Sequence, residues 1–200
     1  MELLIVRHAR PEEQILEGQA ADPGLTDIGH QQAAAAAEYL STIHIDHVVS
    51  SPMLRARQTA APLIAMRDGE VEVIDDLKES DHDSNEYRPL EENRQYFIDQ
   101  FASNPDAMFG SDGRDVFVGR VVPAFKKLAA DHAGKTVAVF CHGMVTAAFV
   151  GYVLGVEDLF SLAPDYTGLS RVRASADRDI FSLRSFNETM HLRDLPDLRW

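Results

Sequence analysis

Glu2–Val6 and Thr136–Cys141 are short runs, apolar at almost every position, and they limit the folds open to this chain more than any other feature. A strand with one wet face alternates apolar and polar residues. A strand apolar throughout is covered on both faces, which in practice means a parallel sheet with helices above and below. Between these runs strand and helix signals alternate. Thr26 is placed to cap a helix through Gln31–Leu40, and Val48 and Val49 mark a second strand. Ser51 and Pro52 open a helix reaching about Met66, and Val71–Ile74 reads as a third strand. Helices follow near Arg94–Phe101 and from about Arg114 to His132, where Gly134 is a stop residue. After Thr136–Cys141 comes a helix over Met144–Leu154. Leu169–Ala174 and Ile180–Phe186 then form a strand pair around Ala176, Asp177 and Arg178. The order predicts a three-layer α/β/α fold with a mostly parallel sheet and an antiparallel strand.

Two hundred residues suffice for one domain with its own core. Residues 1–200 are therefore read as a single domain, with 80–112 as an irregular insertion. Nineteen Lys and Arg against 32 Asp and Glu give a net charge of −13, a poor match for nucleic acid or an anionic membrane. The single cysteine, Cys141, rules out an intrachain disulfide and fits a reducing compartment. The N-terminal apolar run is too short for a signal peptide, and Met144–Val156 is too short to span a bilayer. A cytoplasmic location is expected. No clustered spacing of Cys, His and Asp marks a metal site.

In open α/β sheets, ligands bind beyond the carboxyl ends of the strands. There this sequence places Arg7 and His8 after the first strand, Arg55 and Arg57 after the second, Lys78 and Glu79 after the third, and His142 after the fourth. Taken singly, each has an ordinary structural explanation; their convergence on one sheet edge is the signal. Arg57 shares a helical stripe with Leu54, Ala60 and Ile64, so it is expected to face the sheet, whereas Arg55 falls with Gln58, Thr59 and Pro62 on the more polar side. A guanidinium on a core-facing stripe needs a partner, either a carboxylate such as Asp46 or Asp76 or a bound anion.

These residues sit in segments that together resemble the histidine phosphatase superfamily, the phosphoglycerate-mutase-like phosphatases and mutases. The segments are Leu3-Leu4-Ile5-Val6-Arg7-His8-Ala9, Leu25-Thr26-Asp27-Ile28-Gly29-His30, Ser50-Ser51-Pro52-Met53-Leu54-Arg55-Ala56-Arg57, Leu77-Lys78-Glu79 and Val139-Phe140-Cys141-His142-Gly143. The resemblance implies a phosphoglycerate-mutase-like fold and metal-independent hydrolysis of phosphomonoesters through a phosphohistidine on His8. It implies that Arg7, Arg57 and His142 bind the phosphate, and that Glu79 is the general acid and then the base for water, with no cofactor and no metal. His8 would have to be a neutral imidazole, with cationic neighbours disfavouring its protonation and a backbone carbonyl fixing its tautomer.

The match is incomplete. Ala9 stands where the motif usually has glycine, and Pro11-Glu12-Glu13 lacks its usual polar pattern. After Glu79 the usual Gly-x-x-Glu-Gly is absent, so Asp81, Asp83 and Glu86 remain alternatives to Glu79 as the acid. From Asp75 to Asp99 nine carboxylates face three basic residues. Such a segment over a pocket would repel polyanions. That disfavours a phosphoglycerate-type mutase and favours a small or moderately sized phosphate ester as substrate. A protein phosphohistidine phosphatase and a non-catalytic phosphate-binding module are the remaining alternatives. No nucleic-acid or membrane partner is expected, and a homodimer is compatible with the sequence.

Overall fold

The computed structural model describes residues 1–67, 69–89, 92–104, 109–110, 113–175 and 179–195. Its strands are β1 (Glu2–Arg7), β2 (Gln14–Ile15), β3 (His47–Ser50), β4 (Glu72–Val73), β5 (Glu86–Tyr87), β6 (Thr136–Cys141), β7 (Leu169–Ser175) and β8 (Ile180–Glu188). Its helices are α1 (Asp27–Ser41), α2 (Leu54–Ala65), α3 (Arg94–Ser103), α4 (Gly113–Asp131) and α5 (Gly143–Leu154). Six strands form one sheet in the order β4-β3-β6-β1-β7-β8. The β4, β3, β6 and β1 strands are parallel, and β7 pairs antiparallel with both β1 and β8, so β7 alone opposes the others.

Alternate residues of the central strands feed two cores. Leu3, Ile5, Val137 and Val139 pack with Phe117, Phe125 and Phe149 of α4 and α5 on one face. Leu4, Val6, Ala138 and Phe140 pack with Ala37, Leu40, Ala60 and Leu63 of α1 and α2 on the other. Each fully buried aliphatic side chain of this kind is worth about 1.5–3 kcal/mol relative to exposure. The three-layer α/β/α expectation is therefore met. The Phe125 and Phe149 rings stack at 4.2 Å and join α4 to α5. At Thr26 the hydroxyl accepts the Gly29 amide, as its capping position predicts. A Cβ on Gly29 would lie 2.1 Å from the Arg10 carbonyl oxygen, so this glycine lets α1 approach the loop that carries His8. Helix α5 is buried over most of its surface and ends at Gly155, whose φ of +67° makes a left-handed cap.

Two local expectations change. Ser51 is not the helix cap: α2 begins at Leu54, with Met53 at the cap. The helix expected near Arg94–Phe101 is present as α3, but the stretch before it also holds β5, which pairs with β2 just after the His8 loop. Ala176, Asp177 and Arg178, expected to turn between β7 and β8, lie outside the described residues. No described helix is long and apolar enough to cross a membrane.

Candidate active site

The carboxyl ends of β1, β3 and β6 bring His8, Ser51 and His142 together. His8 is buried, and its ring lies 5.2 Å from that of His142. Its Nδ1 is 2.8 Å from the Ala9 carbonyl oxygen. A carbonyl can only accept, so Nδ1 carries the proton and Nε2 keeps its lone pair. Burial holds the His8 pKa well below the usual histidine value, reinforced by the positive charges of Arg55 and Arg7. His142, fully buried, is depressed in the same way, by burial first and then by Arg55, His8 and Arg7. Its Nε2 lies 2.8 Å from Ser51 Oγ, and its Nδ1 is buried without a hydrogen-bond partner among the described residues.

The second arginine of the site is Arg55, not Arg57. Arg57 lies exposed on the other side of α2, whereas Arg55, Ala56, Thr59, Ala60 and Leu63 form the buried stripe. Leu54, counted as an inward position from its polarity, sits in the first turn and is 39% exposed. The helix is thus rotated from the expected phase. The small Ala56 and Ala60 let it pack closely, and the inward polar positions serve the site. Arg55 Nη2 donates to Asp81 Oδ1 at 2.8 Å, and the guanidinium lies 4.6 Å from the centre of the Tyr87 ring. Its Nε and Nη1 are buried and make no hydrogen bond among the described residues. Two unsatisfied donors on a fully buried cation are expensive to keep unless a ligand takes them.

On the strand-end loop, Arg7 stacks over Tyr166 at 4.1 Å and donates from Nη1 to the Pro164 carbonyl at 2.8 Å. A Cβ on Gly143 would come within 3.5 Å of Arg7 Nε, so the start of α5 and this side chain are neighbours. Thr59 Oγ1 accepts the Ala9 amide at 2.9 Å, which fixes the loop after His8 from α2.

Among the four carboxylates considered for proton transfer, Glu79 alone is buried. Its Oε1 accepts the Ser80 amide and its Oε2 the Met144 amide, both at 2.9 Å. Burial, with help from the negative charge of Asp81, pushes its pKa up to about 7 despite those bonds and Arg55. Asp81 is committed to Arg55, Asp83 is exposed, and Glu86 bonds to Arg88 and Tyr96. Cys141 is buried, and burial pushes its thiol up to about 12, which makes it inert. Ser51, Thr59 and Tyr166 were not expected to have roles in the site, and Asp81, weighed as the acid, instead pairs with Arg55. Of these only Ser51 stands at a strand end, where its hydroxyl could have been noticed.

The first curated relatives matched share only part of their length with this chain. Fructose-2,6-bisphosphatase TIGAR of Xenopus tropicalis is 37% identical over 97 residues, 45% of this chain and 35% of the relative. The uncharacterized phosphatase PhoE of Bacillus subtilis is 24% identical over 94% of this chain and 95% of its own length. Among solved structures, phosphoserine phosphatase of Entamoeba histolytica in complex with 3-phosphoglyceric acid superposes with a TM-score of 0.76. It is 26% identical and covers 96% of this chain and 98% of its own. Residues 3–189 match the histidine phosphatase superfamily (branch 1), and the chain belongs to that family.

Proposed function

We propose that this chain is a metal-independent phosphomonoesterase that works through a phosphohistidine on His8. The observation carrying this reading is the state of His8: buried, neutral, its Nδ1 tied to Ala9, and flanked by two arginines and a second neutral histidine. In the first step His8 Nε2 bonds to phosphorus as the ester P–O bond breaks. Protonated Glu79 gives its proton to the departing oxygen. In the second step the Glu79 carboxylate takes a proton from water, the water oxygen bonds to phosphorus, and the P–N bond breaks. Inorganic phosphate leaves, and both residues return to their starting state. A pKa near 7 lets one carboxyl group serve both steps at neutral pH.

Negative charge on the transferring phosphoryl oxygens would be met by Arg7, by the spare donors of Arg55 and by His142. With Ser51 donating its hydroxyl proton to His142 Nε2, the ring presents an N–H at Nδ1. The two guanidinium groups supply the charge stabilisation that a metal supplies elsewhere, and neutral His142 adds a hydrogen-bond donor. Arg57 has no part in it. Segment 80–112 is proposed as the cover of the site, because Glu92 bonds to Arg10 and Arg88 to Glu13, both just beyond His8. Its carboxylates favour a small or moderately sized phosphate ester over a polyanion. Among its relatives, the phosphatase named for phosphoserine supports that class, while the one named for fructose 2,6-bisphosphate supports small size but not low charge.

The test is hydrolysis of p-nitrophenyl phosphate in EDTA, with a His8→Ala variant alongside. Turnover should persist in EDTA, a phosphoenzyme that survives alkali and is lost in acid should be trapped by an alkaline denaturing quench, and His8→Ala should abolish both. Full activity in His8→Ala refutes the assignment.

A further inference from the structure

At the amino-terminal end of β3, away from Ser51, three side chains from three elements converge. They are His47 at the start of β3, Glu72 on β4, and His132 in the turn after α4. The donor atoms they offer all lie within 4.8 Å of one another. His47 Nε2 is 2.6 Å from Glu72 Oε2, His132 Nε2 is 3.6 Å from the same oxygen, and the two imidazoles stack at 4.4 Å. Nothing in the proposed phosphatase chemistry uses these groups. Sequence spacing hides them, since they stand 25 and 60 residues apart.

We infer that His47, Glu72 and His132 form a binding site for a zinc-class divalent cation, one that stabilises the fold and takes no part in catalysis. Two imidazoles and a carboxylate are a recognised zinc donor set, and three protein ligands leave a fourth position for water. Bond lengths of 2.0–2.2 Å put tetrahedral donors about 3.3 Å apart. The carboxylate pairs at 2.6 and 3.6 Å and the imidazole pair, within 4.8 Å, reach that spacing by movements of up to about 1.5 Å, within side-chain reach on partly exposed residues. The cation would take the place of the His47–Glu72 hydrogen bond.

A route in exists. His47 borders a surface hollow of about 520 Å³ whose lining includes the carboxylates of Asp46 and Glu70. The chain's net charge of −13 also favours cation uptake. Bound there, the ion would join β3, the two-residue edge strand β4 and the turn after α4. His132 Nδ1 is buried without an acceptor among the described residues, so its ring lacks the usual outer support. Such support is worth about 10–100-fold in affinity, which sets this site below fully supported structural zinc sites.

The experiment is titration of the EDTA-treated, dialysed full chain with zinc chloride, followed by calorimetry and thermal unfolding. Cobalt(II) is added separately to read coordination from its visible bands. Expected are one equivalent bound, a higher Tm, and cobalt bands of four-coordinate intensity. His47→Ala, His132→Ala and Glu72→Gln should each weaken uptake at least about 10-fold. Glu72→Gln, nearly the same shape at a half-exposed position, guards against misfolding, and all three variants should retain phosphatase activity. His8→Ala should still bind. Absence of uptake, uptake unchanged in the three variants, or uptake lost in His8→Ala each overturns the proposal.

Discussion

Replacing Arg55 with alanine is the most demanding test of the site, because sequence periodicity favours its neighbour. Among the described residues Arg55 Nε and Nη1 are buried without a hydrogen bond, Nη1 lying 3.9 Å from Asp22 Oδ1, while Nη2 is held by Asp81. Removing one preorganised donor to developing negative charge costs about 10²–10³ in kcat, about 2.7–4 kcal/mol. Arg55→Ala removes two such donors and the charge, so a loss of about 10³ or more is expected. Arg57→Ala, on the exposed face of α2, should stay within about twofold, as surface substitutions usually do. Stability should change much less than activity. Asp81 is 31% exposed and can hydrate once its partner has gone, and the lost Tyr87 contact is worth about 0.5–1 kcal/mol. Arg55→Lys would keep the charge but not the planar fork and should recover only part of the rate. Loss of Arg55 also removes a charge that depresses His8, so the acid limb of the pH–rate profile should move to higher pH. Steady-state kinetics on p-nitrophenyl phosphate, with urea denaturation to confirm folding, decide the matter. A hundredfold loss in Arg57→Ala beside an active Arg55→Ala would falsify the placement.

Glu79 makes a prediction of opposite sign for stability. Its carboxyl titrates near 4.5 when free and at about 7 in the fold, so the native state holds the extra proton between those values. The associated stabilisation is complete below the lower value and is lost as pH rises through the upper one, on the order of 3 kcal/mol in all. Glu79→Gln should abolish this slope, so the wild type should lose stability relative to the variant between about pH 5 and about pH 8 in urea titrations. An unchanged difference would disprove the buried acid. Wild-type turnover should decline above about pH 7 as the acid loses its proton. Cys141 should resist iodoacetamide in the native protein at mildly alkaline pH and react once unfolded; rapid native labelling would contradict its raised pKa.

The central sheet could be read from the sequence because burial on both faces leaves an unbroken apolar run, as in β1 and β6. For the same reason His8 and His142, directly after those strands, could be placed at one edge. Arg55 could not. Periodicity assumes that inward positions are apolar, yet α2 turns Arg55 and Thr59 inward, where they hold the site and the loop after His8. Function breaks the pattern that locates helix faces. The β2–β5 pair was missed because two-residue strands carry no periodicity, and the Arg55–Asp81 pair because only the folded chain brings its partners together.

The first turn of α5 has a mechanical consequence. His142 occupies its cap, and two residues later the Met144 amide grips Glu79 Oε2. In the proposed chemistry the proton donor and a phosphate ligand therefore share one rigid mount. A substitution that slides this helix along the sheet would displace both halves of the reaction at once. Variants packed against α5, far from any substrate, should damage bond cleavage and anion affinity together.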